Sequence, residues 1–93
     1  YWELGKNHLI IPYSLDTNDA RYAVSPGWSN GEDCFLHLKG AFDCLYREGE
    51  RFPKMMTVGL HSRLSGRPAR SEAIHRFIEY IKSSHPDYKI LLT

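Results

Sequence analysis

Apolar residues change their spacing repeatedly along this chain, and each change marks an element. His8–Leu15, HLIIPYSL, is a short apolar run rich in strand formers. Pro12 within it has no backbone donor and marks a strand end or a bulge. From Asp16 the pattern dissolves into DTNDARYAVSPGWSNGED, where Asp, Asn, Ser, Gly and Pro predict a long loop. Loops of that length in compact domains are uncommon, and are usually functional or disordered. Phe35, Leu38, Phe42 and Leu45 then recur at i, i+3, i+7 and i+10, which is one stripe of an amphipathic helix. Ser29 and Glu32 have the S-x-x-E spacing of a capping box at its start. Gly49 stands where a left-handed C-terminal cap would close it.

Lys54–Leu60 is short and nearly continuous in apolar character, the pattern of a strand covered on both faces in a parallel sheet. Pro68 suits the first turn of a second helix. Ile74, Phe77, Ile78 and Ile81 supply its i, i+3, i+4, i+7 face. SSHPD ends that helix, and YKILL near the C-terminus predicts a third strand. The order β-loop-α-β-loop-α-β predicts an α/β fold of parallel β/α units. Three strands and two helices fall short of a closed barrel, which takes about eight of each and about 250 residues. The chain is then a small open α/β domain or part of something larger. It contains no internal repeat and no low-complexity segment.

Composition narrows this. The 93 residues suffice for one small domain, 42% hydrophobic and 25% charged. A net charge of +1 gives no electrostatic case for nucleic acid, and no basic tail argues for a membrane surface. No apolar run approaches the roughly 20 residues of a transmembrane helix. The opening YWELGKNH is not a signal peptide, and the absence of an initiator Met points to a fragment or a processed chain. Cys34 and Cys44 fall in one predicted helix, roughly 15 Å apart at about 1.5 Å per residue. A disulfide needs Cα atoms within about 7 Å, so two free thiols are expected, which favours a reducing, cytoplasmic setting.

Two places could carry chemistry, and each follows a predicted strand. In parallel α/β folds, ligands bind at that edge of the sheet. The first is YSLDTND, with Asp16 and Asp19. The second is His61 with the basic loop Arg63, Arg67 and Arg70. Parallel strands would bring carboxylates, an imidazole and guanidinium groups into one cleft. Asp16, Asn18 and Asp19 are also good turn residues on their own account. The arginines would equally suit a solvated face. Tyr13 and Trp28 either wall a pocket for a flat or sugar-like ligand or pack the loop onto the helix. His37 and His75 fall off the apolar stripes and are expected to face solvent. Cys34 has no evident base and is a poor nucleophile.

The segments IPYSLDTNDARY and KMMTVGLHSRLSGRPAR closely resemble the C-terminal part of polysaccharide deacetylase-like (NodB-homology) allantoinases, the PuuE-type urate catabolism proteins. GLHSRLSGRPAR is the specific phrase; the intervening amphipathic helix is generic. The resemblance implies that residues 1–93 are one partial domain, the C-terminal portion of a distorted (β/α)7 barrel. It implies C–N hydrolysis: opening of the hydantoin ring of allantoin, or deacetylation of N-acetyl sugars in chitin or peptidoglycan. A non-catalytic remnant that needs a partner chain is the third possibility. By resemblance, His61 is the general acid, and Asp16 and Asp19 form the D-x-x-D element that orients catalytic groups. The tryptophan usual after that element is Ala20 here. Arg63 and Arg67 would hold ureido or carbonyl oxygens, for which a planar guanidinium is suited. The TFDDG-like segment and the H-x-x-x-H-like metal pair of the family do not occur in this sequence. The resemblance implies no cofactor on the allantoinase branch. On the deacetylase branch it implies a divalent metal such as Zn with its ligands outside this chain. It also implies a homo-oligomer for the intact protein.

Overall fold

A computed structural model of the chain describes residues 10–84. Their elements are a 3₁₀ helix Asp19–Tyr22, α1 Gly31–Glu48, the single turn α2 Ser62–Ser65, and α3 Pro68–Ser84. Both long helices fall where the 3.6-residue periodicity places them. The expected third strand, YKILL, lies outside the described residues.

The N-terminus of α1 is capped one residue later than the S-x-x-E spacing predicts. Asn30 Oδ1 accepts the amide of Asp33 at 2.9 Å, and Asp33 Oδ2 accepts the amide of Ser29 at 2.9 Å. Asn caps as well as Ser, and a carboxylate in the first turn favours the positive end of the helix dipole. This frees Glu32 to reach Arg76 of α3 at 2.6 Å. Gly49 also differs from expectation, with a right-handed φ of −64°. Gly49 N–H bonds Leu45 O at 2.8 Å, and Arg51 N–H bonds Glu48 O at 3.1 Å. The last carbonyls are thus satisfied by a tightening turn, and no left-handed residue is needed.

Helices α1 and α3 pack together around Trp28, Cys34, Leu38, Ala73, Phe77 and Ile81, all buried. Phe42 meets Phe77 edge to face with centroids 6.0 Å apart. Each fully buried aliphatic or aromatic side chain here contributes about 1.5–3 kcal/mol. Leu38 is buried as its stripe predicts, and Phe35 and Phe42 are half-buried against the core. Cys34 is buried and Cys44 exposed, both as free thiols. Burial pushes the Cys34 thiol up, which suits packing and not nucleophilic attack.

The strands are the main departure. Among the described residues, Ile10–Leu15 forms no strand, and Lys54–Leu60 pairs only through one parallel bridge, Gly59 with Asn18. The parallel β/α units expected from the sequence are therefore not formed as sheet ladders here. Met55, Leu60 and Leu15 are exposed where a doubly covered strand would bury them. The physical reason is that a strand cannot satisfy its own backbone: its ladder bonds come from neighbours. An α-helix carries its bonds within itself.

Candidate active site

The single bridge sets the site. Gly59 N–H donates to Thr17 O at 3.0 Å, and Asp19 N–H donates to Gly59 O at 2.9 Å. Thr17 Oγ1 adds a bond to Thr57 O at 2.5 Å. Gly59 must be glycine for this approach, because a Cβ there would collide with the Asn18 side-chain amide. Asn18 in turn caps the 3₁₀ helix, its Oδ1 accepting Ala20 N–H at 2.8 Å. The chain turns at once after the bridge, and the Asp19 carboxylate is carried across to the segment that follows Gly59.

There it meets His61. Asp19 is 0% exposed. Its Oδ2 accepts the backbone amides of His61 at 2.6 Å and Ser65 at 3.2 Å, and its Oδ1 lies 2.7 Å from His61 Nδ1. Burial pushes the Asp19 carboxyl up, but the donors from His61 and Ser65 outweigh it and hold the group below its ordinary 3.8. Asp19 is therefore a carboxylate that can only accept, so His61 Nδ1 must carry the proton in this contact. His61 is the N-cap of α2 in extended backbone geometry, and its side chain is 50% exposed. One ring nitrogen is fixed by a buried carboxylate, leaving Nε2 as the nitrogen free to work. Such a pair can donate a proton from Nε2 as imidazolium or accept one there as neutral imidazole.

The other residues singled out by sequence are placed as follows. Asp16 is exposed, with Oδ1 3.2 Å from His37 Nε2 and 3.9 Å from an Arg21 guanidinium nitrogen; it does not join Asp19 and His61. Trp28 is 7% exposed and packs edge-on to Tyr22, centroids 5.2 Å apart, so among the described residues it belongs to the core. His37 is also not solvent-facing as expected: its ring lies 5.7 Å from that of Trp28. Tyr13 is 77% exposed and lines an open groove of about 460 Å³ together with Val58, Leu60 and His61. Arg63 and Arg67 are exposed in and just after α2. The Ser65 amide, the Asn18 cap and the Thr17 hydroxyl were not evident from the sequence. A hint was available in H-S-R-L-S, because Ser65 stands one helical turn after His61.

A protein from Schizosaccharomyces pombe named as a polysaccharide deacetylase is 51% identical over 79 residues, 84% of this chain and 25% of the relative. The crystal structure of a probable polysaccharide deacetylase from Pseudomonas aeruginosa PAO1 superposes with a TM-score of 0.79 at 56% identity, over 87% of this chain and 27% of that one. That of PuuE allantoinase gives a TM-score of 0.79 at 57% identity, over 88% and 27%. The chain is a homologue of the C-terminal part of polysaccharide deacetylase-like proteins. No family model matches it. It spans about a quarter of the length of the relatives it matches. The structural neighbours of this polysaccharide deacetylase homologue are NodB-type deacetylase and allantoinase folds. No helix among the described residues is long and apolar enough to cross a membrane.

A divalent metal would need several converging ligands. Among the described residues no group of three or more His, Cys, Asp or Glu is arranged to hold one, and both Asp19 oxygens are already engaged. These residues do not by themselves fit a metal ion.

Proposed function

We propose that this chain supplies the C-terminal portion of a C–N hydrolase that opens the hydantoin ring of a ureide of the allantoin type, with His61 as general acid. The observation that carries this reading is the Asp19–His61 pair. A buried carboxylate 2.7 Å from Nδ1 orients the imidazole, and the half-exposed ring sits in an open groove. Water, giving a proton to a base supplied by the rest of the protein, adds to the carbonyl carbon, and the tetrahedral intermediate collapses with cleavage of the C–N bond. The departing nitrogen takes the proton from His61 Nε2, leaving neutral imidazole. Arg63 and Arg67, exposed in the same loop, supply cationic donors for the carbonyl oxygens as negative charge develops on them. The identity to PuuE allantoinase supports this substrate class. The identity to the two deacetylases makes an N-acetyl sugar the alternative substrate.

Steady-state kinetics of the full-length protein on allantoin and on an N-acetyl chitooligosaccharide test the reading. Allantoin turnover is expected, and His61→Ala lowers kcat by about 10²- to 10⁴-fold, the usual yield of general acid catalysis. Turnover of the sugar alone would move the substrate to the deacetylase class. Turnover of neither, or an undiminished His61→Ala enzyme, would overturn the proposal.

A further inference from the structure

Arg70 was grouped by sequence with the basic loop, but the structure gives it a separate post. It lies in the first turn of α3 and faces two elements at once. Its guanidinium carbon is 4.2 Å from the centroid of the Tyr22 ring, and one terminal nitrogen donates to Leu64 O at 3.3 Å. Tyr22 is the last residue of the 3₁₀ helix that begins with Asp19, and Leu64 belongs to the turn capped by His61. The two halves of the pair thus come from two short elements, and one side chain holds both.

Each contact has a physical reason. Leu64 O is a last-turn carbonyl that a one-turn helix leaves without an intrahelical donor. Tyr22 is itself seated against buried Trp28, so the far end of the clasp is anchored in the core. Only a planar guanidinium can stack on a ring face and donate in its own plane at the same time; a lysine can do one or the other. The direct links between the elements are the three bonds to Asp19, and their 2.6–3.2 Å lengths depend on how the two elements sit together.

We propose that Arg70 is a positioning residue that fixes the 3₁₀ helix and α2 relative to one another and so holds His61 on Asp19. The consequence for turnover rests on the reading of His61 as general acid. The consequence for the imidazole does not, and it is read separately.

The test compares Arg70→Ala, Arg70→Lys and Arg76→Ala in the full-length protein. Arg76 is the matched control on α3: it lies 4.1 Å over the Phe35 ring and bonds Glu32 at 2.6 Å, but ties α3 only to α1. The first readout is the His61 Nδ1–H proton resonance, assigned by its loss in His61→Ala. It broadens or vanishes in both Arg70 variants and persists in Arg76→Ala. The second is kinetic, on whichever substrate the wild type turns over. Both Arg70 variants lose about 10-fold in kcat with KM within about 2-fold, since misplacement of about 1 Å alone can cost about 10²-fold. Arg76→Ala keeps both constants. If Arg70→Ala fails to fold, Arg70→Lys decides on the same readouts, because it keeps the charge and loses the planar clasp. A folded Arg70 variant that retains the resonance and kcat overturns the proposal. A wild type without hydrolase activity whose resonance is nonetheless lost in the Arg70 variants would uphold the clasp and remove the catalytic reading alone.

Discussion

Replacing Asp19 with Asn changes almost no volume and reverses part of the hydrogen-bond pattern. The carboxylate accepts from His61 N and Ser65 N at Oδ2, and from His61 Nδ1 at Oδ1. An amide offers one oxygen and one NH2. The oxygen must take the Oδ2 position, because the alternative sets an NH2 against two backbone N–H groups. The NH2 then faces Nδ1, which has to become an acceptor, and the ring proton moves to Nε2. Bonds to a charged group are worth about 1.5–3 kcal/mol and neutral ones about 0.5–1.5. Loss of charge assistance on two bonds, with the ring bond rearranged, therefore costs about 2–4 kcal/mol of stability. Under the proposed function, catalysis suffers further, because the ring loses the carboxylate that orients it through Nδ1. On that reading, kcat of the full-length protein is expected to fall by about 10²- to 10⁴-fold with little change in KM.

The same substitution carries a pH signature. The Asp19 carboxyl is held below its ordinary 3.8 in the folded chain. A depressed carboxyl stabilises the fold fully above its unfolded value, and that stability is lost as pH falls through the lower folded value. The wild-type advantage over Asp19→Asn should therefore be complete at neutral pH and shrink in acid. Urea denaturation followed by circular dichroism, at neutral pH and stepwise into acid, measures it. An Asn variant as stable and as active as wild type, or a gap that widens in acid, would refute the reasoning.

Two stability predictions follow from the core and the bridge. Leu38→Ala removes a fully buried side chain between α1 and α3, and should cost about 2–5 kcal/mol in urea denaturation. Gly59→Ala sets a methyl group against the Asn18 amide, which is 2% exposed and has nowhere to move. It should cost about 1–3 kcal/mol by the same assay and lower kcat as well, because Asp19 is displaced with its neighbour.

What was legible in the fold follows from where each element finds its bonds. The stripes Phe35–Leu45 and Ile74–Ile81 predict helices over α1 and α3, because a helix needs only its own backbone and one apolar face to bury. The stretch Lys54–Leu60 has equally clear apolar character, yet pairs only at Gly59. Apolar content reports what a segment would bury, whereas a ladder depends on which neighbours are present. The cap of α1 lies one residue on: Ser29, Asn30, Glu32 and Asp33 offer two overlapping boxes, and the fold uses Asn30 with Asp33 while Glu32 reaches Arg76 of α3.

The site was legible in kind more than in membership. His61 stands out because an apolar run delivers it to a polar turn, and only the resemblance of DTND to the D-x-x-D element of the deacetylases suggests a carboxylate partner. Nothing in DTND says which carboxylate, since Asp16 and Asp19 are both good turn residues. The structure separates them by a single event, the Asn18–Gly59 bridge. Before it, Asp16 lies on the side of the loop that faces His37 and α1; after it, the 3₁₀ turn swings Asp19 toward His61. The selection thus depends on a close approach between positions far apart in sequence, made possible by the missing side chain of Gly59. Trp28 illustrates the converse. An aromatic in a Gly- and Ser-rich loop has the composition of a pocket wall, but its ring packs against Tyr22 and His37. Residue type proposes the chemistry at each of these positions, and the neighbours within reach decide which proposal the fold keeps.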